Sequence, residues 1–275
     1  MTTALDLAPA VLLVGYLLVT FDYGLTFFSR TEPRVRPSVG LISVWSLHLV
    51  YLVLLGQEHD QFPATTVSQA LTLVGFTLAA VYLLLEWYNG DRSTGFWTMI
   101  QVSGFQALAI VLRGPVPPRS TLFGEPLFGA HVFLALLGYA AFAVAASYGF
   151  LFLSLYSELK GRRFALFYGR LPPLEVLERM MTAALVVGFV ALTGSVLTGG
   201  FWMHREEHQL VWNKDPMILL TGFTWALYGC ALVLRRARQW RGRQTAIASL
   251  AGLGIIVGSL LVVRLMLPGF HLVPG

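Results

Sequence analysis

Gly199–Pro216, with the sequence GGFWMHREEHQLVWNKDP, is a short polar stretch between two long apolar runs. It contains Trp202 and Trp212, two histidines, and a charged cluster that ends in Asp215 and Pro216. Tryptophan favours the boundary between membrane and water, because its ring has an apolar body and a polar N–H. The stretch is therefore predicted to be a loop at a membrane surface, between two helices that cross the bilayer. Taken alone, its tryptophans are equally typical of a plain interfacial aromatic belt.

The composition of the whole chain is that of a membrane protein. Of its 275 residues, 56% are hydrophobic and only 12% are charged, with a mean hydropathy of +0.69. Soluble domains carry roughly 25% charged residues. The single cysteine, Cys230, excludes an internal disulfide and any CxxC or CxxCH motif, so the chain is neither a thiol oxidoreductase nor a c-type cytochrome. The first apolar run lacks a basic n-region and is expected to be a retained helix.

Eight apolar runs are long enough to cross a bilayer, which takes about 20 residues. Proline, glycine and charged residues separate them, as expected for connecting loops. The predicted fold class is all-α, a polytopic membrane helical bundle, and residues 1–275 are expected to form a single integral membrane domain. The predicted spans are Leu7–Phe28, Val39–Gly56, Thr66–Trp87, Gly95–Leu112, Phe128–Tyr156, Val176–Phe201, Met217–Leu234 and Thr245–Leu267.

The distribution of Lys and Arg predicts the orientation of the bundle. The loops after the first, third, fifth and seventh runs hold 14 of these residues, and the loops on the other side hold 4. Cytoplasmic loops carry the basic excess in membrane proteins, so both termini are expected on the outer side of the cell membrane. The net charge of +5 is then a topology signal and predicts no nucleic-acid partner. The inner loop 158–174 is amphipathic and is expected to lie on the inner surface.

Five of the six histidines fall at the predicted outer face. Neutral imidazole is the commonest protein ligand for metals. Two such groups, fixed at the outer ends of two helices beside an aromatic loop, could ligate a haem iron from both sides. For each histidine taken singly, an ordinary hydrated interfacial side chain is the alternative. The five are His59, His131, His204, His208 and His271.

Several other residues in the predicted spans bear on packing or function. His48 lies inside the second run, where an ionisable residue is costly and often functional, although a neutral histidine bonded to a neighbouring helix fits equally well. Asp22 has no evident partner. Arg264, near the outer end of the last run, could extend to the interface or bind a haem propionate. Gly254 and Gly258 form a small-xxx-small pattern that predicts close helix approach.

With these residues placed, the chain resembles the CcsA/CcmC/HemX-like cytochrome c assembly family from about Gln57 to the C-terminus. The resemblance is strongest from Ala130 onward. The matching pieces are Phe62-Pro63, His131-Val132-Phe133, Tyr139-Ala140, Leu171-Pro172-Pro173-Leu174-Glu175, Leu192-Thr193-Gly194, Gly199, Trp202, Trp212, Asp215-Pro216, Thr224-Trp225 and Gly269-Phe270-His271.

The resemblance implies a haem site in the Trp-rich outer loop 199–216. In the family, two histidines that flank this loop ligate haem at the outer, extracytoplasmic surface, and by position these resemble His131 and His271. The resemblance also implies haem b as the cofactor, with an apocytochrome c or a second cytochrome c assembly membrane subunit as a partner. An early in-span histidine is linked to haem passage, and His48 looks like its counterpart. Trp202, Trp212, Asp215 and Arg264 complete the predicted cofactor-binding set.

Three departures from the family pattern resemble the HemX-like branch. Lys214 stands where the family has a tryptophan, Met217 and Ile218 replace a Lys-Glu pair, and the second in-span histidine falls on Val233. No catalytic residue is predicted, and enzymatic activity is left open. Two alternatives to haem handling in cytochrome c biogenesis remain. One is a non-catalytic membrane regulator of haem biosynthesis, and the other is a structural or haem b subunit of a respiratory complex.

Overall fold

The computed structural model describes residues 2–29, 39–119, 121–162, 165–205, 216–237 and 242–266. Within these ranges the chain forms eight long helices and one short one, and no strand. The helices are α1 (Thr2–Ser29), α2 (Val39–His59), α3 (Val67–Asn89), α4 (Gly95–Val111), α5 (Thr121–Gly124), α6 (Pro126–Lys160), α7 (Leu174–Arg205), α8 (Pro216–Ala237) and α9 (Gly242–Met266).

The helices confirm the predicted membrane bundle. Among the described residues, α1, α2, α3, α6, α7 and α8 are each long and apolar enough to cross a membrane. Helix α4 is apolar but shorter, with 17 residues. Each long helix coincides with one predicted apolar run, because periodic interruption by proline, glycine and charge marks the ends of spans.

Local sequence signals set several of the helix ends. The Thr66 side chain accepts a hydrogen bond from the Gln69 N–H at the start of α3. Gly90 ends the same helix in the left-handed conformation, with φ of 69°, and its N–H donates to the Glu86 carbonyl. Pro126 and Pro216 are the first residues of α6 and α8, where a missing N–H costs no intrahelical bond.

The predicted loop 199–216 begins later than expected, because α7 continues as a helix to Arg205. Trp202 therefore lies on the last turns of α7, and the prediction that it belongs to a loop is wrong. Packing explains the difference, since Gly199 lies directly against α6 and the pair of helices holds this turn in place. Residues 206–215, with Trp212 and Asp215, lie outside the described part of the chain.

Glycines allow α6 and α7 to approach closely along their length. A Cβ atom added to Gly138 would lie 3.2 Å from the Gly188 carbonyl oxygen, and one on Gly194 would lie 3.2 Å from the Leu134 side chain. Small residues are the usual means of close helix contact in membranes. Gly199 is in the same kind of contact with α6, through the His131 ring. Helices α6 and α7 thus form a closely packed antiparallel pair.

The close approach predicted at Gly254 and Gly258 is wrong for the described residues. A Cβ atom added to either would meet no described atom within 4 Å. The close contact of α9 is made instead by Gly252, where an added Cβ would lie 2.6 Å from the Tyr228 hydroxyl. Gly252 leaves room for the Tyr228 ring of α8.

The antiparallel helices give the bundle two ends that differ in their residues. One end, here called the His131 end, joins the start of α1, the end of α4, α5, the start of α6 and the end of α7. Ion pairs link Arg113 with Asp6 and Arg119 with Asp60 there. The opposite end, here called the Arg92 end, carries the α3–α4 connection and the segment between α6 and α7. In that segment, residues 165–173 form turns and not a helix.

Candidate functional site

His131 lies in the second turn of α6 and is held by α7. Its Nδ1 atom is 2.8 Å from the Ser195 carbonyl oxygen and 3.1 Å from the Ser195 hydroxyl. That hydroxyl donates in turn to the His131 carbonyl oxygen at 3.0 Å. A carbonyl oxygen can only accept, so Nδ1 must carry the ring proton. The lone pair of the neutral ring is therefore on Nε2, the nitrogen that faces away from this contact.

Gly199 provides the space that the His131 ring occupies. A Cβ atom at this position would lie 2.6 Å from Nδ1 and 2.9 Å from Cε1 of the ring. Contacts of this length are not tolerated between real atoms, so any side chain here would displace the imidazole. The ring is thus seated directly on the backbone of α7.

An aromatic cluster continues from His131 to Trp202. The Phe128 ring centroid lies 6.2 Å from that of His131 and 5.1 Å from that of Trp202. Phe123 of α5 packs edge-on against Phe128, at 5.1 Å. Trp202 is buried, with 8% of its surface exposed. The structure thus brings together two of the predicted site residues, His131 and Trp202, at one end of the bundle.

The remaining predicted residues of this site are only partly placed. His271, Trp212 and Asp215 lie outside the described residues. Arg264 lies near the end of α9. In the part of the chain that the structure covers, no group of three or more His, Cys, Asp or Glu side chains could hold a metal ion. A haem iron needs only one or two protein ligands, which a single imidazole such as His131 can begin to supply.

His48 lies away from this end, in a buried network that joins four helices. Tyr16 of α1 donates to Nδ1 of His48 at 2.9 Å, and Nε2 lies 3.2 Å from the Thr72 hydroxyl of α3. Thr72 donates to the Gln106 side chain at 2.6 Å, so its oxygen accepts from Nε2. Gln106 of α4 donates to the Pro9 carbonyl oxygen at 3.2 Å, which closes the chain on α1.

The two histidines therefore carry their ring protons on opposite nitrogens. His48 is fully buried, and both of its nitrogens have hydrogen-bond partners in the bundle. His131 uses only Nδ1 in a described hydrogen bond. In this conformation His48 connects helices, which favours its interpretation as a neutral histidine that is bonded to neighbouring helices.

Several clefts open on the described surface, and two of them lie at opposite ends of the bundle. One, of about 600 Å³, lies at the His131 end between α2, α5 and α6, and its lining includes Asp60, Gln61, Phe62, Phe123 and Gly129. His131 does not line it. The other, of about 670 Å³, lies at the Arg92 end between α3, α7 and α8. Both sizes are in the range of small-molecule sites.

A buried charge cluster at the Arg92 end was not predicted from the sequence. Arg92 contacts Asp22 of α1 at 3.1 Å and Glu86 of α3 at 3.7 Å, and its guanidinium lies over the Tyr23 ring at 4.8 Å. Tyr23 also donates to Glu86. Asp22, for which the sequence offered no partner, is thus paired. Burial acts to lower the pKa of Arg92, but Tyr23, Glu86 and Asp22 outweigh it and raise the pKa above its ordinary value.

Comparison with known protein families adds to this geometry. The family model described as "Cytochrome C assembly protein" matches residues 35–271, which is most of the chain. The chain belongs to the cytochrome c assembly protein family.

Individual relatives of this family cover similar lengths. Protein HemX of Bacillus subtilis is 26% identical over 240 residues, which is 86% of this chain and 86% of the relative. The cytochrome c biogenesis protein CcsA of Synechococcus elongatus is 24% identical over 287 residues, or 86% and 87% of the two chains. The inner membrane protein YpjD of Escherichia coli is 28% identical over 189 residues, or 68% and 70%. Both the CcsA-like and the HemX-like branches expected from the sequence are represented.

As a family member with several helices that are long and apolar enough to cross a membrane, the chain is a multi-pass membrane protein of the cytochrome c assembly family. The range that the family model matches includes His131, the glycines of α7 and Trp202. The described contacts among these residues therefore lie within the matched region.

Proposed function

We propose that this cytochrome c assembly protein binds haem at the His131 end of its bundle, on the outer side of the membrane. The single observation that carries the proposal is the 2.8 Å contact between Nδ1 of His131 and the Ser195 carbonyl oxygen. The Nδ1–H of His131 donates to the Ser195 carbonyl oxygen, which leaves Nε2 available to an iron atom. Metal-ligating histidines usually donate their second ring N–H to a carbonyl or carboxylate, since this fixes the tautomer and ring orientation.

The aromatic cluster supports the same proposal. Phe128 and Trp202 form an apolar wall beside His131, and such surfaces suit a flat apolar macrocycle. His131 and His271 are the residues that would hold the haem iron through their imidazoles. Trp202, Trp212 and Asp215 are proposed to border the ring, with Arg264 near a propionate. The haem itself supplies the iron and the vinyl groups to which cysteine thiols of an apocytochrome c are joined.

The role of this chain's residues is then to hold and present the haem. The imidazole of His131 binds the iron, α7 fixes the imidazole, and the aromatic side chains exclude water from one side of the ring. His48 has a different place in the proposal, inside the bundle. For it to contact haem, the hydrogen bond from Tyr16 would first have to open.

The experiment is haem loading of the purified full chain. Wild-type protein in detergent should bind added haem with the absorption spectrum of a six-coordinate, low-spin iron. His131→Ala should lower the haem affinity by at least about tenfold and change the spectrum, and His271→Ala should do the same. His59→Ala is the matched control, since His59 is the last residue of α2 at the same end of the bundle and lies outside the proposed site. An unchanged affinity and spectrum for His131→Ala would refute the ligand assignment.

The two alternatives predict other outcomes in the same experiment. A colourless wild-type protein that binds no added haem would favour a regulator of haem biosynthesis. A haem b that stays bound and is not passed to an apocytochrome c peptide with a CxxCH motif would favour a respiratory subunit.

A further inference from the structure

We propose that Ser195 and Gly199 of α7 are positioning residues for the His131 imidazole, and that they determine how strongly its Nε2 binds iron. This inference rests on the proposed haem binding and extends it to two residues of a different helix.

Ser195 constrains the ring through two oxygen atoms. The Nδ1–H of His131 lies between the carbonyl oxygen of Ser195, at 2.8 Å, and its hydroxyl, at 3.1 Å. The hydroxyl also donates to the His131 carbonyl oxygen at 3.0 Å. One serine thus binds both the ring and the backbone of the same histidine. Ser195 is fully buried, so water does not compete for these bonds.

Gly199 sets the distance between the ring and α7. It follows Ser195 by one helical turn and faces the same nitrogen, with an added Cβ only 2.6 Å from Nδ1. Its neighbour Gly194, also on the α6 side, faces a Leu134 methyl at 3.2 Å, a contact that a small movement could relieve. At Gly199 relief requires the ring itself to move. The absence of a side chain is therefore tied to the position of the imidazole.

These two contacts have a chemical consequence for iron binding. A hydrogen bond from Nδ1–H to an oxygen makes the imidazole more basic at Nε2 and prevents rotation of the ring. Loss of such outer contacts typically lowers metal affinity about 10–100-fold. A residue that only packs helices together would lower stability instead, with little effect on the spectrum of any haem still bound.

The test uses the full-length chain with Gly199→Ala and Ser195→Ala. Gly199→Ala should weaken haem binding by about 10–100-fold and increase the high-spin fraction of the ferric spectrum. Ser195→Ala should have a smaller effect in the same direction, because the carbonyl acceptor remains. Gly104→Ala is the matched control, since a Cβ there meets nothing within 4 Å. Thermal unfolding of each haem-free variant reports on packing separately.

A second measurement removes the covalent link between the imidazole and α6. In a His131→Gly background, free imidazole can bind the iron without the constraint of the α6 backbone. If Ser195 acts through His131, Ser195→Ala should have no further effect on haem affinity in this background. An equal loss in both backgrounds would show a general packing role and overturn the inference.

The outcomes separate this inference from the proposed function. Loss of haem with His131→Ala, but wild-type affinity and spectrum with Gly199→Ala, would overturn the positioning role alone. Wild-type haem binding by His131→Ala would overturn both. A stable, haem-free Gly199→Ala protein that recovers binding with added imidazole would support both.

Discussion

At the residue scale, the two interior histidines show how hydrogen-bond partners assign different roles to one residue type. His131 donates from Nδ1 to a carbonyl oxygen and has its lone pair on Nε2. His48 accepts at Nδ1 from Tyr16 and donates from Nε2 to Thr72. A ligand needs an available lone pair, and the His48 lone pair is already used. The chemical difference lies in the neighbours and not in the imidazole.

His48→Ala is expected to destabilise the bundle rather than to empty the haem site. The substitution leaves the buried Tyr16 hydroxyl without its acceptor and removes the partner of Thr72. Each buried polar group left unsatisfied costs about 1–3 kcal/mol. A lower midpoint of unfolding should be seen in thermal or denaturant titration of the detergent-solubilised protein, with unchanged haem content per folded molecule.

Leu47→Ala is the control for this prediction. Leu47 is the adjacent residue of α2 and is 48% exposed at the bundle surface, so its loss should have little effect on unfolding. If His48→Ala unfolds like wild type but loses haem, the hydrogen-bond network does not stabilise the bundle and His48 belongs to the haem path.

Sequence alone could place these histidines but could not assign their partners. The position of His131 at the start of an apolar run follows from local pattern, and the structure puts it near the start of α6. Ser195 lies 64 residues further along the chain, and Tyr16 lies 32 residues before His48. Such contacts depend on which helix faces which, and hydropathy does not determine that. The partners were therefore found only in the folded bundle.

At the element scale, the ends of helices proved harder to predict than the helices. The Gly199-Gly200 pair marks a loop by local preference, yet α7 continues past it to Arg205. A glycine costs a helix about 1 kcal/mol, which close packing against α6 offsets. Gly199 therefore indicates a loop by its local preference, but in the structure it makes room for His131 beside the helix.

The connection between α3 and α4 is expected to depend on Arg92. The Arg92 side chain is 5% exposed and the Glu86 side chain 1%, so Arg92→Met leaves a buried carboxylate without its cation. Breaking a buried pair in this way costs about 3–5 kcal/mol. Unfolding of the variant in a denaturant titration should show this loss. Arg92→Met combined with Glu86→Gln should recover part of it, because the buried side chain at position 86 then carries no charge.

The substitution Asp22→Asn tests the Arg92–Asp22 ion pair apart from the buried Arg92–Glu86 pair. Asp22 is 52% exposed, and exposed ion pairs contribute only about 0–1 kcal/mol. The substitution should therefore change the midpoint very little. A loss for Asp22→Asn as large as that for Arg92→Met would show that the guanidinium acts through α1 and not through Glu86.

At the scale of the whole molecule, composition and hydropathy were sufficient for the architecture. Long apolar stretches can satisfy their backbone groups in a membrane only as helices, so eight runs predicted eight long helices. The same constraint says nothing about which helices are neighbours. The contact of α6 with α7 and α9, and of α1 with α4, comes from side-chain shape. The charge pattern predicts only which end faces the cytoplasm.

The orientation of the bundle is the last prediction. The count of 14 basic residues against 4 places the Arg92 end in the cytoplasm and the His131 end outside. A phosphatase reporter that is active only after export should be active when inserted between residues 113 and 119 or fused after Gly275. A fluorescent protein that folds only in the cytoplasm should be bright when inserted between residues 165 and 170. The reverse pattern would put His131 on the cytoplasmic side, where its geometry could still bind haem. Delivery to an exported apocytochrome c would then be excluded, because the site would face the wrong compartment.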